Sequence, residues 1–236
     1  MNVLPVAILT GGLATRLHPL TETVPKALLP VAGRPFIHWQ LALLAQQGVT
    51  QVVLCAGHLG EQIQAAIGDG SGFGMTVRYS FDGAALLGTG GALKRALPML
   101  DAAFFVLYGD SYLRCSFSAV QTAYEASAAP ALMTVFCNED RWEKSNVLFR
   151  DGRVLEYSKR SPGPRMRHID YGLSILSTLA LQRSPADAAF DLAELYHELA
   201  ARGQLAALEV DERFHEVGSI AGIEATERFL MSGGRI

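Results

Sequence analysis

Between residues 3 and 128 of the 236-residue chain, short Val/Ile/Leu-rich runs alternate with longer segments of helical character, and this alternation limits the possible folds most. VLPVAIL (3–9), TQVVLCAG (50–57), MTVRYSF (75–81) and AAFFVLYGD (102–110) are strand-length and rich in β-branched or aromatic residues, as strands buried on both faces are. PFIHWQLALLAQQG (35–48) reads as a helix with Pro35 at its start and Gly48 just past its end. HLGEQIQAAIG (58–68), GTGGALKRALPML (88–100) and SFSAVQTAYEASA (116–128) are the other helical segments. Such alternation predicts an α/β fold: a Rossmann-like, mostly parallel sheet sandwiched by helices, with loops gathered at the carboxyl ends of the strands.

The texture changes near residue 131. ALMTVFC, NVLFRDGRVLEYSK and RHIDYGLSIL are strands without full helices between them, and Asp151-Gly152 marks a tight hairpin. This part predicts a small antiparallel insertion. Helices return with FDLAELYHELAARG (190–203) and SIAGIEATERFLMSGG (219–234).

Half of the residues are hydrophobic, enough for a sizeable core, and the net charge is −3. A sequence-independent nucleic-acid binder would need a basic excess, so none is expected. The three cysteines, Cys55, Cys115 and Cys137, are far apart and read as reduced, apolar-like thiols. The six histidines show no metal-binding spacing, and Trp39 and Trp142 read as packing residues. The N-terminal residues lack a signal-peptide pattern, and no apolar run approaches the roughly 20 residues of a membrane span. A cytoplasmic protein with no membrane partner, monomeric or homodimeric, is the expectation.

ILTGGLATRLHPLTETVPKALLPVAGRPFI (8–37) follows the first strand with Gly11, Gly12, Arg16 and Lys26. Glycines after a strand expose backbone N–H groups, and two added cations suit an anion such as phosphate. Neither GxxxxGK[ST] nor GxGxxG is present at this turn, so it is neither a P-loop nor the dinucleotide fingerprint. A structural turn is the competing reading. Asp110 follows the strand ending in LYG; it either holds a hard cation or caps the next helix. Gly88, Gly90 and Gly91 form a second glycine turn, suited to close approach by a base or ribose, or to tight packing.

GGLATRLHPLTETVPKALLPVAGRPFI, GTGGALKRAL and YGDS together resemble the sugar-phosphate nucleotidyltransferases (NDP-sugar pyrophosphorylases), whose opening motif is GGxGTRL(x)nPKxLxPVxGxP. The likeness runs from Val6 to about Phe229. GTGGA and GDGSGFGMTVRYS look most like short members acting on D-glycero-D-manno-heptose 1-phosphate with GTP or on N-acetylmuramate 1-phosphate with UTP, and the overall resemblance points first to GTP with the heptose 1-phosphate, the uridylyl pair being the alternative. The resemblance implies one nucleotidyltransferase domain over 1–236. Its nucleotide-binding part would cover about 1–130, its sugar-phosphate part about 131–220, and a C-terminal helix 219–231. It implies an NTP and a sugar 1-phosphate as substrates, Mg²⁺ as cofactor, and a role in nucleotide-sugar supply for surface polysaccharide or glycoconjugate.

By the same resemblance Arg16, Lys26 and Asp110 are catalytic, and Leu9, Gly11, Gly12, Gly88, Gly90 and Gly91 bind nucleotide. Lys159, Asp170, Tyr171 and Gly172 bind the sugar phosphate, while Asp110 and Glu216 hold the metal. Ala14 replaces the family's third glycine, which is tolerable if that residue keeps negative φ. Glu216 stands for an aspartate, and YSKRS lacks the usual E-K-P setting of the lysine. The basic run 159–168 would be a solvated loop or a lid over the sugar phosphate. Rival readings are the same chemistry on phosphocholine, favoured by an aromatic pocket around Tyr171, and a non-catalytic nucleotide-binding module. A metal-dependent glycosyltransferase would show DxD, and GDS does not supply it.

Overall fold

A computed structural model describes residues 3–182, 184 and 188–234. Nine strands form one sheet: β1 (Val6–Leu9), β2 (Gln51–Ala56), β3 (Thr76–Phe81), β4 (Ala103–Tyr108), β5 (Ala131–Cys137), β6 (Val147–Arg150), β7 (Arg153–Tyr157), β8 (His168–Ser177) and β9 (Leu205–Glu209). Their spatial order is β3-β2-β1-β4-β8-β5-β9-β7-β6. The first four are mutually parallel, and β9 is parallel to β5. β8 runs against β4 and β5, and β7 runs against β9 and β6. All strands but β7 and β8 therefore point one way, and the sheet is mostly parallel. The antiparallel strands are not a separate lobe. β8 lies at the centre of the sheet, and β6 curls back to meet it at His168–Val147.

Period-two alternation sorts the core onto the two faces of the sheet. Val6, Ile8, Val52, Leu54, Phe105 and Leu107 face helices α1 (Phe36–Gln46), α2 (Gly60–Ile67) and α4 (Phe117–Ser127). Ala7, Val53, Phe104, Val106 and Met133 face α3 (Gly88–Ala96), α5 (Thr178–Gln182) and α6 (Leu192–Ala201). Burying each large side chain contributes roughly 1.5–3 kcal/mol against exposure. α7 (Ile220–Met231) packs outside α1, where Leu230 meets Phe36, Trp39 and Val217 in a third cluster. No helix among the described residues is long and apolar enough to cross a membrane.

The hairpin forms as its sequence predicts, with Asp151 at φ 50° and Gly152 at φ 73° between β6 and β7. One local condition is not met. Ala14 sits in the left-handed region, φ 51° and ψ 43°, rather than at negative φ. It precedes the helical turn Thr15–Leu17, and the Thr21 hydroxyl donates to its carbonyl at 3.0 Å, which fixes the bend. Holding a Cβ there costs about 1–2 kcal/mol.

Candidate active site

β1, β2 and β4 all end at one edge, and their loops converge because the strands are parallel neighbours. The Thr10 N–H donates to the Cys55 carbonyl at 2.9 Å and that of Gly109 to the Leu9 carbonyl at 3.0 Å, so backbone bonds continue past the strands. The glycines follow from this crowding. A Cβ on Gly11 would lie 2.8 Å from Gly57 N, and one on Gly109 would lie 2.5 Å from Leu9 O. Gly12 faces open space, with nothing within 4 Å of a Cβ position. It offers an accessible backbone surface beside the strand end.

Asp110 follows Gly109 directly. Lys26 Nζ donates to Asp110 Oδ2 at 2.6 Å, so the cation of the opening loop and the carboxylate of the fourth strand are an ion pair. Glu216 is brought alongside by a second short pairing. His215–Glu216 runs antiparallel to Ser111–Tyr112, with Glu216 opposite Ser111, and the Val217 N–H donates to the Asp110 carbonyl at 2.9 Å. A Cβ on Gly218 would touch Glu216 Oε2 and lie 3.1 Å from Arg16 Nη2 and 3.5 Å from Asp110 Oδ2. Two carboxylates and a guanidinium thus crowd round Gly218, where any side chain would collide with the Glu216 carboxylate. The Glu216 carboxyl is pushed up by burial and by the Asp110 charge, and held back by the Gly218 N–H and by Arg16. Asp110 and Glu216 line one cavity, and hard carboxylate oxygens are the donor type a Mg²⁺ ion accepts beside phosphate oxygens, so these residues fit that ion.

Two cavities meet at Asp110. One, of about 260 Å³, is lined by Leu9, Gly11, Gly12, Lys26, Asp82 and Gly88 among others. The second, of about 500 Å³, is lined by Arg16, Asn146, Asp170, Tyr171, Gly172 and Glu216 among others. Tyr108, Asp110 and Lys159 line both. A larger groove of about 560 Å³ lies along α6 and includes none of the glycine-loop residues.

Lys159 is not free. Its Nζ lies 3.3 Å from Asp191 Oδ2, while Thr89 Oγ1 donates to Asp191 Oδ1 at 2.9 Å. Asp191 also caps α6 by accepting the Ala193 N–H. Burial would raise the Asp191 carboxyl, but the Ala193 N–H, the Lys159 charge and the Thr89 hydroxyl outweigh it and hold it below its ordinary value. Asp191 and Thr89 escape notice in the sequence: a cap is legible there, but its partnership with a lysine from another loop is not. The basic run is also pinned, with Arg160 paired to Glu194 and Arg165 to Glu156.

Of the three glycines of the second turn, Gly88 lines the smaller cavity, and Gly90 and Gly91 line neither of the two cavities. Gly88 has φ 68°, and a Cβ on it would lie 2.6 Å from the Phe190 carbonyl. Gly90 and Gly91 are turned away from both cavities. A Cβ on Gly90 would enter the Phe190 ring, and one on Gly91 would lie 2.6 Å from the Ala188 carbonyl. For these two, close approach of a base gives way to packing of the 188–190 strap onto α3.

Asp170 and Gly172 stand at the start of β8, where the pairing with β5 breaks register between Asp170 and Ser174. The Asp170 carboxyl is pushed up to about 6 by burial, against the Gly172 N–H and the Lys159 charge. Tyr171 is only 2% exposed, with its ring among Phe136 and Phe214, so it backs the cavity more than it opens onto it. Asp82 is a second buried carboxylate on the wall of the smaller cavity. It accepts the Leu87 N–H at 3.2 Å, and burial raises it against that bond and Arg95.

Residues 6–146 match the family described as nucleotidyl transferase. The chain is 45% identical over 118 residues to the N-acetylmuramate alpha-1-phosphate uridylyltransferase of Neisseria meningitidis serogroup B, covering 49% of this chain and 51% of that protein. It is 27% identical over 154 residues to the D-glycero-alpha-D-manno-heptose 1-phosphate guanylyltransferase of Aneurinibacillus thermoaerophilus, covering 65% and 66%. The matches thus span about half to two thirds of these relatives' length. In fold, the chain resembles the crystal structure of HddC from Yersinia pseudotuberculosis complexed with GMP-PN, with a TM-score of 0.79 over 96% of this chain and 99% of that one, at 22% identity.

Proposed function

The chain belongs to the nucleotidyl transferase family, and on that footing we propose that it transfers a nucleotidyl group from an NTP to a sugar 1-phosphate, releasing pyrophosphate. The observation that carries this reading is the junction of two cavities at Asp110 and Lys159, with Arg16 and Lys26 beside it. A reaction joining two anions needs two compartments that open onto one cationic point. A phosphate oxygen of the sugar 1-phosphate attacks the α-phosphorus in line, and the bond to the pyrophosphate oxygen breaks. The sugar phosphate is already ionised, so neither a general base nor an enzyme nucleophile is required.

In this mechanism the Gly11-Gly12 backbone and Arg16 hold the triphosphate, and Lys26 neutralises charge at the reacting centre. Leu9 and Gly88 border the nucleoside, and Lys159 binds the sugar phosphate with Asp170, Tyr171 and Gly172 behind it. Asp110 and Glu216 would hold Mg²⁺, which supplies positive charge against the phosphate oxygens. Lys26 must then share or yield Asp110 Oδ2. Lys159, with three N–H donors, must likewise share or leave Asp191 to meet an incoming phosphate.

Asp82 bears on the base. An ionised carboxylate accepts hydrogen bonds and donates none. It therefore suits bases that present a ring N–H, guanine, uracil and thymine, and disfavours adenine and cytosine, whose corresponding nitrogens are acceptors. Two substrate pairs fit: GTP with a D-glycero-D-manno-heptose 1-phosphate, and UTP with N-acetylmuramate 1-phosphate. The 45% identity to the meningococcal uridylyltransferase favours the second. The phosphocholine reading is weakened by Trp142, the most exposed ring of the aromatic cluster, over which Arg141 and Arg213 already lie at 5.1 and 4.8 Å.

Pyrophosphate release, measured with Mg²⁺ across five nucleotides (ATP, CTP, GTP, UTP and dTTP) and across heptose, N-acetylmuramate and glucose 1-phosphates, tests the proposal. Turnover requiring one keto-base nucleotide and one sugar phosphate together is expected. Nucleotide binding without release from any pair would leave the non-catalytic module as the better reading.

A further inference from the structure

Three side chains with different metal-binding atoms meet on the sheet, and none of them lines either cavity. Cys137 ends β5, His168 begins β8 and Glu209 ends β9, and these strands are neighbours in the order β8-β5-β9. Backbone pairing alone puts the three on one face. Cys137 stands opposite His168, and Glu209 stands opposite Val135, two residues before Cys137. Residues two apart on a strand share a face.

The side chains bear this out. One donor atom from each lies within 4.8 Å of the other two, and His168 Nε2 is 3.0 Å from Glu209 Oε1. Cys137 and His168 are half-buried and Glu209 is exposed, so the cluster has a sheltered floor and an open side. Phe149 packs edge-on against the imidazole at 5.0 Å between ring centres, and the Arg141 guanidinium donates to the Cys137 carbonyl at 2.8 Å, which limits movement of both. A His–Glu hydrogen bond by itself would explain two of the three groups and leave the thiol unaccounted for.

We propose that Cys137, His168 and Glu209 form a site for a Zn²⁺-like divalent ion, with a fourth position open to water. A sulfur, an imidazole nitrogen and a carboxylate oxygen are the donors Zn²⁺ and its neighbours take, whereas Mg²⁺ takes oxygen alone. Binding replaces the thiol proton by the metal, so one proton leaves per ion bound at Cys137. The ion ties three strands together at the end of β8 from which Asp170 and Gly172 follow. The site is independent of the nucleotidyl-transfer reading, and its test needs no substrate.

Chelator-treated protein is titrated with Co²⁺ in excess Mg²⁺, which occupies oxygen-only sites, and then with Zn²⁺ in competition. One Co²⁺ per chain is expected, with a thiolate-to-metal charge-transfer band that Zn²⁺ removes. Cys137→Ser should lose the band while keeping the wild-type circular dichroism, and the exposed, conservative Glu209→Gln should bind Co²⁺ more weakly. Zn²⁺ should raise the thermal midpoint of the wild type but not of Cys137→Ser. A missing band, or a band unchanged in Cys137→Ser, overturns the site; unchanged affinity in Glu209→Gln removes the third ligand and with it the proposal.

Discussion

The two halves of the sheet are built differently. In β3-β2-β1-β4 all strands run one way, and the edge of the smaller cavity is largely backbone, with Gly11 against Gly57 and Gly109 against Leu9. In β8-β5-β9-β7-β6 strand direction alternates at β8 and β7, and the larger cavity is lined by side chains from separate loops and strands, such as Asn146, Lys159, Asp170 and Glu216. In the proposed reaction, backbone walls would suit the phosphates, the part of the ligand that never changes, because altering them means altering the fold. Side-chain walls can be exchanged singly, which on the same proposal would suit the part that distinguishes one sugar phosphate from another.

The largest test acts where the halves meet. Asp110→Asn keeps the shape and removes the charge paired to Lys26, and turnover should fall by about 10²–10³-fold, as with other preorganised electrostatic groups. Steady-state pyrophosphate release measures it; a change confined to KM would mean that Asp110 only binds. Within the parallel half, two glycines should behave oppositely. Gly90→Ala drives a methyl into Phe190 and should lose about 1–3 kcal/mol in urea unfolding. Gly12→Ala meets open space, so its unfolding midpoint should hold while its KM for NTP rises.

In the mixed half, the Asp170 carboxyl titrates at about 6 in the folded chain against its ordinary 3.8. The folded state therefore holds the extra proton between those values, and this group's contribution to stability is lost as pH rises through about 4 to 6. Above that window the buried charge costs on the order of 3 kcal/mol. Asp170→Asn should be the more stable protein at pH 7, with a flatter urea midpoint from pH 4 to 7; parallel curves for the two proteins would contradict the raised carboxyl. The smallest effect is Ala14→Gly. Relief of the left-handed alanine is offset by greater freedom of the unfolded chain, leaving a gain of up to about 1 kcal/mol in thermal unfolding.

Much of the parallel half is legible in the sequence because its signals are local. Strand and helix periods alternate, Asp110 follows its strand within two residues, and the opening loop carries its cations on one short stretch. The order of the mixed half is not legible, since nothing in RHIDYGLSIL says that it enters between β4 and β5. The same limit hides the Asp191–Lys159 pair and the Cys137, His168 and Glu209 cluster, whose members come from distant strands and loops. Gly90 and Gly91 show a different failure. A glycine reports that space is short, not what fills it, and here a phenylalanine and a carbonyl fill it rather than a nucleotide.

The central position of β8 has a consequence for how the chain assembles during synthesis. In the folded sheet β4, Ala-Phe-Phe-Val-Leu-Tyr, lies between β1 and β8, and β8 is translated only after β5, β6 and β7, so before that β4 has β1 alone as a native partner. Until then the growing chain carries an apolar open edge, the kind of surface on which nascent chains pair with one another. Insertion of β8 is the event that joins the halves, and it brings Asp170 and Gly172 to Asp110 in the same movement. A ribosome-bound intermediate halted before residue 168 should therefore be the form most in need of a chaperone.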